Sequence, residues 1–197
     1  MKLSDVANVR SGLVLGRKQS NVPTEYRYPL LNLRAIREDG ELDLEQIETL
    51  YTAEALNPEY LTHKGDIVVR MTPPFSATLI EEETEGMVIP SSFIIVRVFA
   101  EWMMPEYIFW LLNTKQLRNE AAGNSTNNVF GGTKPSYYRD LHIPKTSPAD
   151  QMKIVKLNEL ARKECHLMHR LAEEKNRYYT ALMNQMQNDM NRSNQHD

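Results

Sequence analysis

The apolar pattern is clearest toward the end of the chain. Ile154, Leu157, Ala161, Met168, Leu171, Tyr178 and Leu182 fall on one seam at three- and four-residue steps, and Glu164, Lys175 and Gln185 interrupt it. From Ala149 to Met190 there is no proline and no glycine, so one helix of roughly 63 Å fits the stretch. Its start is marked in the sequence. Pro144 and Pro148 bar a helix before it, Ser147 can cap it, Pro148 takes the first helical position and Asp150 the reciprocal capping position. A helix this long with one narrow stripe cannot bury itself. Two readings stand: it folds back over its own domain, or it is an arm that pairs with a second long helix.

Upstream the period shortens. Residues 3–10 predict a short helix with Val6, Ala7 and Val9 inward, closed by Ser11-Gly12, and residues 13–26 a loop. Residues 28–36 predict a strand with Asn32 and Arg34 on one face, because strand side chains alternate. Glu38-Asp39-Gly40-Glu41 is a turn, and residues 51–61 hold a short helix broken at Asn57-Pro58. Lys64-Gly65-Asp66 turns into a strand over 67–71, which Thr72-Pro73-Pro74-Phe75 stops with Arg70 and Thr72 pointing outward. Short strands follow at 76–80 and 87–89, and the β-branched run 92–99 predicts a central strand. Pro105 opens a helix whose buried side is Tyr107, Ile108, Leu111, Leu112 and Leu117, fading near Ala122-Gly123. Residues 123–134 predict a polar loop of a length that often carries function, and 141–143 a last strand. The expected organisation is an α+β chain: a twisted, mixed, β-rich domain over 1–146, a helical arm over 147–192 and a tail over 193–197.

Charge changes this picture more than composition does. The net charge of −3 does not announce a nucleic-acid binder. Its distribution is uneven: residues 1–37 hold seven Lys/Arg against two acids, residues 38–106 three against fifteen, and residues 107–148 five against two. If the first and third blocks fold together, one face is basic and the other acidic; scattered surface charge is the alternative. The single cysteine, Cys165, rules out an intramolecular disulfide and fits a reducing, cytoplasmic setting. Residues 1–10 hold no apolar run of secretory length, and no run of 18 uncharged apolar residues occurs.

Catalytic chemistry finds little support. Thr72-Pro73-Pro74-Phe75 has the outline of the Asn/Asp-Pro-Pro-aromatic motif of amino-group DNA methyltransferases. A threonine at its first position lacks the carbonyl or carboxylate that would accept from the amine, and no G-x-G occurs for a methyl donor. His166 and His169 lie three apart near Cys165, but a structural zinc site needs about four ligands and no second cluster is present. No cofactor and no metal are expected.

The ordered series Gly132-Thr133-Lys134, residues 138–141, His142-Ile143-Pro144 and Gln151-Met152-Lys153-Ile154-Val155-Lys156-Leu157 resembles the junction between a target recognition domain and the following helix in type I restriction–modification specificity subunits. Residues 3–12, residues 61–70 with Gly65-Asp66-Ile67-Val68-Val69, and residues 107–118 resemble the family's opening, central strand and helix before the recognition loop. Each motif is weak alone; their order spans nearly the whole chain. The resemblance implies a DNA-reading module without chemistry of its own, serving methyltransferase subunits and a separate motor and nuclease subunit. Such subunits usually hold two recognition domains, whose helices pair antiparallel and set the gap between half-sites. Here one domain and one helix are present, a half-length form. The expectation is a homodimer that pairs through residues 149–190 on a palindromic bipartite duplex. Half of a longer or split subunit, paired heterologously, is the other possibility.

Recognition loops vary within the family, so the candidate DNA contacts rest on side-chain chemistry. They are Arg17, Lys18 and Gln19 in the first loop; Asn32 and Arg34 on the strand; Arg70 and Thr72 at the strand exit; and Asn124, Ser125, Asn127, Asn128 and Lys134 with Tyr137 in the second loop. Arginine to guanine and Asn or Gln to adenine are the commonest direct pairings. The reading from another class is an interaction protein with an acidic, decoy-like domain, for which the −12 block is the best support.

Overall fold

The structure is a computed structural model that describes residues 1–126 and 132–193. It divides into two compact units, Met1–Val155 and the residues from Lys156 on.

The unbroken apolar run near residue 95 is explained by its place in the sheet. Strand β6 (Phe93–Val98) lies inside a four-stranded antiparallel sheet of order β1-β6-β4-β5, flanked by β1 (Ala7–Ser11) and β4 (Ile67–Arg70), with β5 (Ala77–Leu79) at the edge. Both faces of β6 are covered. Ile94 and Val96 join Ile67, Val69, Val9 and Ala7 on one side, and Phe93 and Ile95 join Val68 on the other. Full burial of such side chains contributes about 1.5–3 kcal/mol each. The first face is capped by helix α1 (Pro105–Leu112) through Tyr107, Ile108, Leu111 and Leu112, by Tyr138 of α3 (Pro135–Asp140), and by Val155. The second is closed by Leu31, Ala35, Ile36, Ile80 and Ile89. A separate hairpin of β2 (Tyr26–Leu30) and β3 (Glu48–Thr52) packs its own cluster around Leu30, Leu50 and Val88. Every ladder between named strands is antiparallel, and among the described residues parallel pairing is confined to two isolated bridges, Leu13 to Pro90 and Leu30 to Val88.

Several elements differ from the sequence expectation. Residues 3–10 are a 3-10 turn (Leu3–Asp5) followed by strand β1, because the burial of Ala7 and Val9 alternates and the segment pairs with β6. The strand expected over 28–36 ends at Leu30. Asn32 bends the chain by accepting the amides of Arg34 (2.9 Å) and Ala35 (3.1 Å) on its Oδ1, an Asx turn that competes with strand pairing. The helix expected within 51–61 is instead the end of β3 and a 3-10 turn at Pro58–Tyr60 capped by Asn57. The helix from Pro105 is broken at Asn113 and resumes as α2 (Lys115–Thr126). Residues 141–143 form a bridge rather than a strand: Lys2 pairs with His142.

Helix α4 runs from Pro148 to Ser193, and its cap is the one the sequence indicates. The amide of Asp150 donates to Ser147 Oγ (3.2 Å), and Ser147 Oγ donates to Asp150 Oδ2 (2.8 Å). Within the first unit, Gln151 is fully buried. Its Oε1 accepts the Met104 amide (2.9 Å), and its Nε2 donates to the carbonyls of Thr146 (3.0 Å) and Trp102 (3.2 Å). Tyr107 and Thr146 are hydrogen-bonded hydroxyl to hydroxyl at 2.8 Å beside it. From Lys156 onward the helix exposes Leu157, Leu160, Leu167, Met168, Leu171, Tyr178, Tyr179, Leu182 and Met183. Ile154, placed on the seam by the sequence, is half-buried against the domain core. No helix among the described residues is long and apolar enough to cross a membrane.

Candidate nucleic-acid interface

The β2–β3 hairpin gathers the first two groups of candidate readers. Gln19 bridges to Thr52 at one end of β3, and Lys18 forms an ion pair with Glu54 just beyond it. That partner holds the Glu54 carboxyl below its ordinary range. At the other end, Arg34 pairs with Glu48 at 3.1 Å. Asn32 Nδ2 donates to the same Glu48 carboxylate (3.0 Å) and to the Gln46 carbonyl. Arg17 lies in the 3-10 turn Gly16–Lys18.

These pairings answer the charge question. The basic block 1–37 does not make a separate face, because it is interleaved with the acidic block. Arg10 pairs with Glu59, Lys18 with Glu54, Arg34 with Glu48 and Arg37 with Glu41. The pair at Arg34 is open to solvent, with side chains 74% and 51% exposed. Exposed pairs contribute only about 0–1 kcal/mol, so Arg34 can exchange Glu48 for a phosphate or a base edge at small cost.

Arg70 behaves differently. The sequence points it outward at the strand exit; in the structure it is folded back. Its guanidinium donates to the carbonyls of Ile36 (3.2 Å) and Pro73 (3.0 Å). Burial pushes its pKa down, and its Nε has no partner among the described residues. It therefore ties the strand exit to the turn that follows Arg34. A cis peptide joins Pro73 to Pro74, and Phe75 takes φ 58°. Thr72 sits half-buried next to the end of the second loop.

That end is fixed to the same exit. The Thr133 amide donates to the Met71 carbonyl at 2.8 Å and its hydroxyl donates to the same oxygen at 3.2 Å. A Cβ on Gly132 would lie 3.1 Å from that oxygen, so the approach is close. The structure thus brings Thr72 beside Gly132, where the second loop ends, and ties Thr133 to the neighbouring Met71. Lys134 is exposed at the start of α3 and makes no ion pair among the described residues.

The remaining second-loop candidates divide. Asn124 and Ser125 are helical, on α2, where Asn124 Nδ2 donates to the Glu120 carbonyl (2.9 Å) and Ser125 Oγ to the Ala122 carbonyl (2.8 Å). Ser125 is buried and its hydroxyl satisfied, which removes it from the readers. Asn127 and Asn128 lie outside the described residues. Asn124, Lys134 and Tyr137 line one cleft of about 810 Å³ between α2 and α3, with Glu120, Thr133 and His142. The Tyr137 hydroxyl is buried with no partner among the described residues, and desolvation, with Glu120 nearby, pushes its pKa up to about 12.

Further cations escaped the sequence reading, among them three in the first unit. Arg27, Lys115 and Lys145 are exposed and make no ion pair among the described residues. Arg27 was legible in principle, since it alternates with the half-buried Tyr26 and Tyr28. Among the described residues no group of three His, Cys, Asp or Glu is placed to hold a metal ion. What the surface offers is hydrogen-bond donors and exchangeable positive charge, the chemistry of phosphate and base contacts.

No protein-family model matches the chain, and no curated protein matches it. Solved structures do. The specificity subunit HsdS from Thermoanaerobacter tengcongensis aligns over 88% of this chain and 44% of its own, with a TM-score of 0.66 at 17% identity. A chain from work on complex assembly and conformational transition of the type I R-M system aligns over 89% and 40%, at TM-score 0.60 and 13% identity. The S subunit of the type I restriction-modification system of M. genitalium aligns over 83% and 38%, at TM-score 0.53 and 14% identity. The chain shares their fold and spans about two-fifths of their length.

Proposed function

We propose that this chain is a DNA sequence-recognition subunit of a type I restriction–modification complex. Its domain over 1–146 binds a half-site of double-stranded DNA, and its helical arm over 147–192 pairs with a second copy to set the half-site spacing. Methyl transfer, and cleavage where it occurs, belong to separate cytoplasmic methyltransferase and motor subunits that the chain directs. On this reading it carries no catalytic centre and needs no cofactor.

The observation that carries the reading is the shared fold over 88% of the chain. That share is larger than the first unit, so the likeness includes part of the long helix. The geometry supports the same reading: exchangeable Arg34, exposed Lys134, and a second loop whose far end is fixed by Thr133 to the strand exit. In this proposal Arg17, Lys18, Gln19, Asn32, Arg34, Thr72, Asn124, Lys134 and Tyr137 make up the footprint, joined by Arg27, while Arg70 positions the strand exit.

Salt dependence tests it. The chain, assembled with its methyltransferase subunit, should bind mixed-sequence duplex with an affinity that falls steeply as salt rises. Each phosphate neutralised contributes about 0.9 to the log–log slope. Lys134→Ala should flatten that slope by about one such contact. Duplex binding that is absent, or insensitive to salt, would favour the interaction-protein reading instead.

A further inference from the structure

The exposed seam of α4 holds two charged residues of opposite sign, Glu164 and Lys175, on the stripe that includes Leu157, Ala161, Met168, Leu171, Tyr178 and Leu182. Both are exposed, and neither has an ion-pair partner among the described residues. They are eleven residues apart on one helix, too far along the axis, at roughly 16 Å, to meet each other. A charge on an apolar seam is costly to bury unless an opposite charge meets it.

We infer that two copies pair antiparallel in one register, with the two-fold axis crossing the helices between His169 and Arg170, so that Glu164 of each copy meets Lys175 of the other. This deepens the self-pairing proposed above and rests on it. Only an antiparallel arrangement does this: in parallel, in-register helices Glu164 would face Glu164 and Lys175 would face Lys175. The same axis matches the rest of the stripe. Met168 meets Leu171 of the second copy, Leu157 meets Leu182, and Ala161 meets Tyr178, a small residue opposite a large one. The large side chains Leu157, Met168, Leu171, Tyr178 and Leu182 are between 39% and 70% exposed within one copy, so each has area to lose on pairing. The seam from Leu157 to Leu182 is roughly 39 Å long. Leu160, Leu167 and Tyr179 flank it as further exposed apolar residues.

In this register the two Glu164–Lys175 contacts, one on each side of the axis, exclude shifted alignments. A slip of one heptad would set Glu164 against Met168 or Leu182 of the second copy and Lys175 against Leu171 or Leu157, leaving four charges unpaired on apolar surface. This is the use of seam polar residues that fixes orientation and register in coiled coils.

The test is a charge swap on the full chain, read by sedimentation equilibrium. The wild type should be a dimer. Glu164→Lys and Lys175→Glu should each weaken self-association by at least about tenfold, because each sets like charges face to face twice. The double variant E164K/K175E should restore it, and mixing the two single variants should give a heterodimer in which every contact is again opposite in sign. Single swaps that leave the dimer intact, or a double swap weaker than either single, would overturn the register while leaving self-pairing in place. A wild-type chain that stays monomeric would overturn the self-pairing itself.

Discussion

Thr133 directs two donors, its amide at 2.8 Å and its hydroxyl at 3.2 Å, to the one carbonyl oxygen of Met71. Sixty-two residues separate the two in sequence. The contact joins the end of the second loop to the exit of β4. Thr133→Val keeps the amide bond and removes the hydroxyl inside a buried position. The expected loss of stability is about 1 kcal/mol, measured by denaturant unfolding. The affinity of the assembled complex for DNA should fall by more than that loss explains, because the loop end would be held to Met71 by one bond instead of two.

Arg34 and Arg70, equivalent in the sequence, should separate on mutation. Arg34→Ala removes an exposed, exchangeable ion pair, so stability should stay within about 0.5 kcal/mol of wild type, while affinity for the cognate duplex drops at least about tenfold. Glu48→Gln should leave affinity equal or raise it, since it frees Arg34 from its competitor. Arg70→Ala leaves the Ile36 and Pro73 carbonyls without their donor. It should cost roughly 1–3 kcal/mol of stability and lose affinity in proportion. Paired melts and binding isotherms for the three variants decide this.

Gln151 satisfies three backbone groups while fully buried. Gln151→Leu fills a similar volume but orphans the Met104 amide and the carbonyls of Trp102 and Thr146. A loss of about 2–4 kcal/mol is expected. A substitution at the neighbouring, exposed Met152 should be close to neutral.

Tyr137 and Tyr138 carry hydroxyls that burial pushes up to a pKa of about 12. Both are raised above the unfolded value of about 10, so the folded state holds protons that the unfolded state has already released. Their contribution to stability is intact below about pH 10 and is lost as the pH rises through about 12. In an alkaline titration followed at 295 nm, two tyrosines should ionise late. Tyr138→Phe should remove one late step and reduce the alkaline loss of stability.

The long helix and its cap were legible because Ser147, Pro148 and Asp150 act locally, within one turn. The central strand was legible because Phe93–Val98 is buried on both faces and needs no polar alternation. The turn at Asn32 was not, since Leu30-Leu31-Asn32-Leu33 alternates well enough for a strand until Asn32 bonds the amides ahead of it. The site was half legible. Lysines and arginines announce positive charge, but whether each faces an acid depends on residues far away in sequence. Glu48 for Arg34 and the Ile36 carbonyl for Arg70 are pairings only the fold supplies.

The central claim is that two copies of this chain direct a complex to a two-part DNA sequence. Its most direct test is selection of bound duplexes from a random pool by the chain assembled with its methyltransferase subunit. The account predicts a bipartite palindrome with a fixed gap. No enriched sequence from a complex shown to be assembled would contradict it.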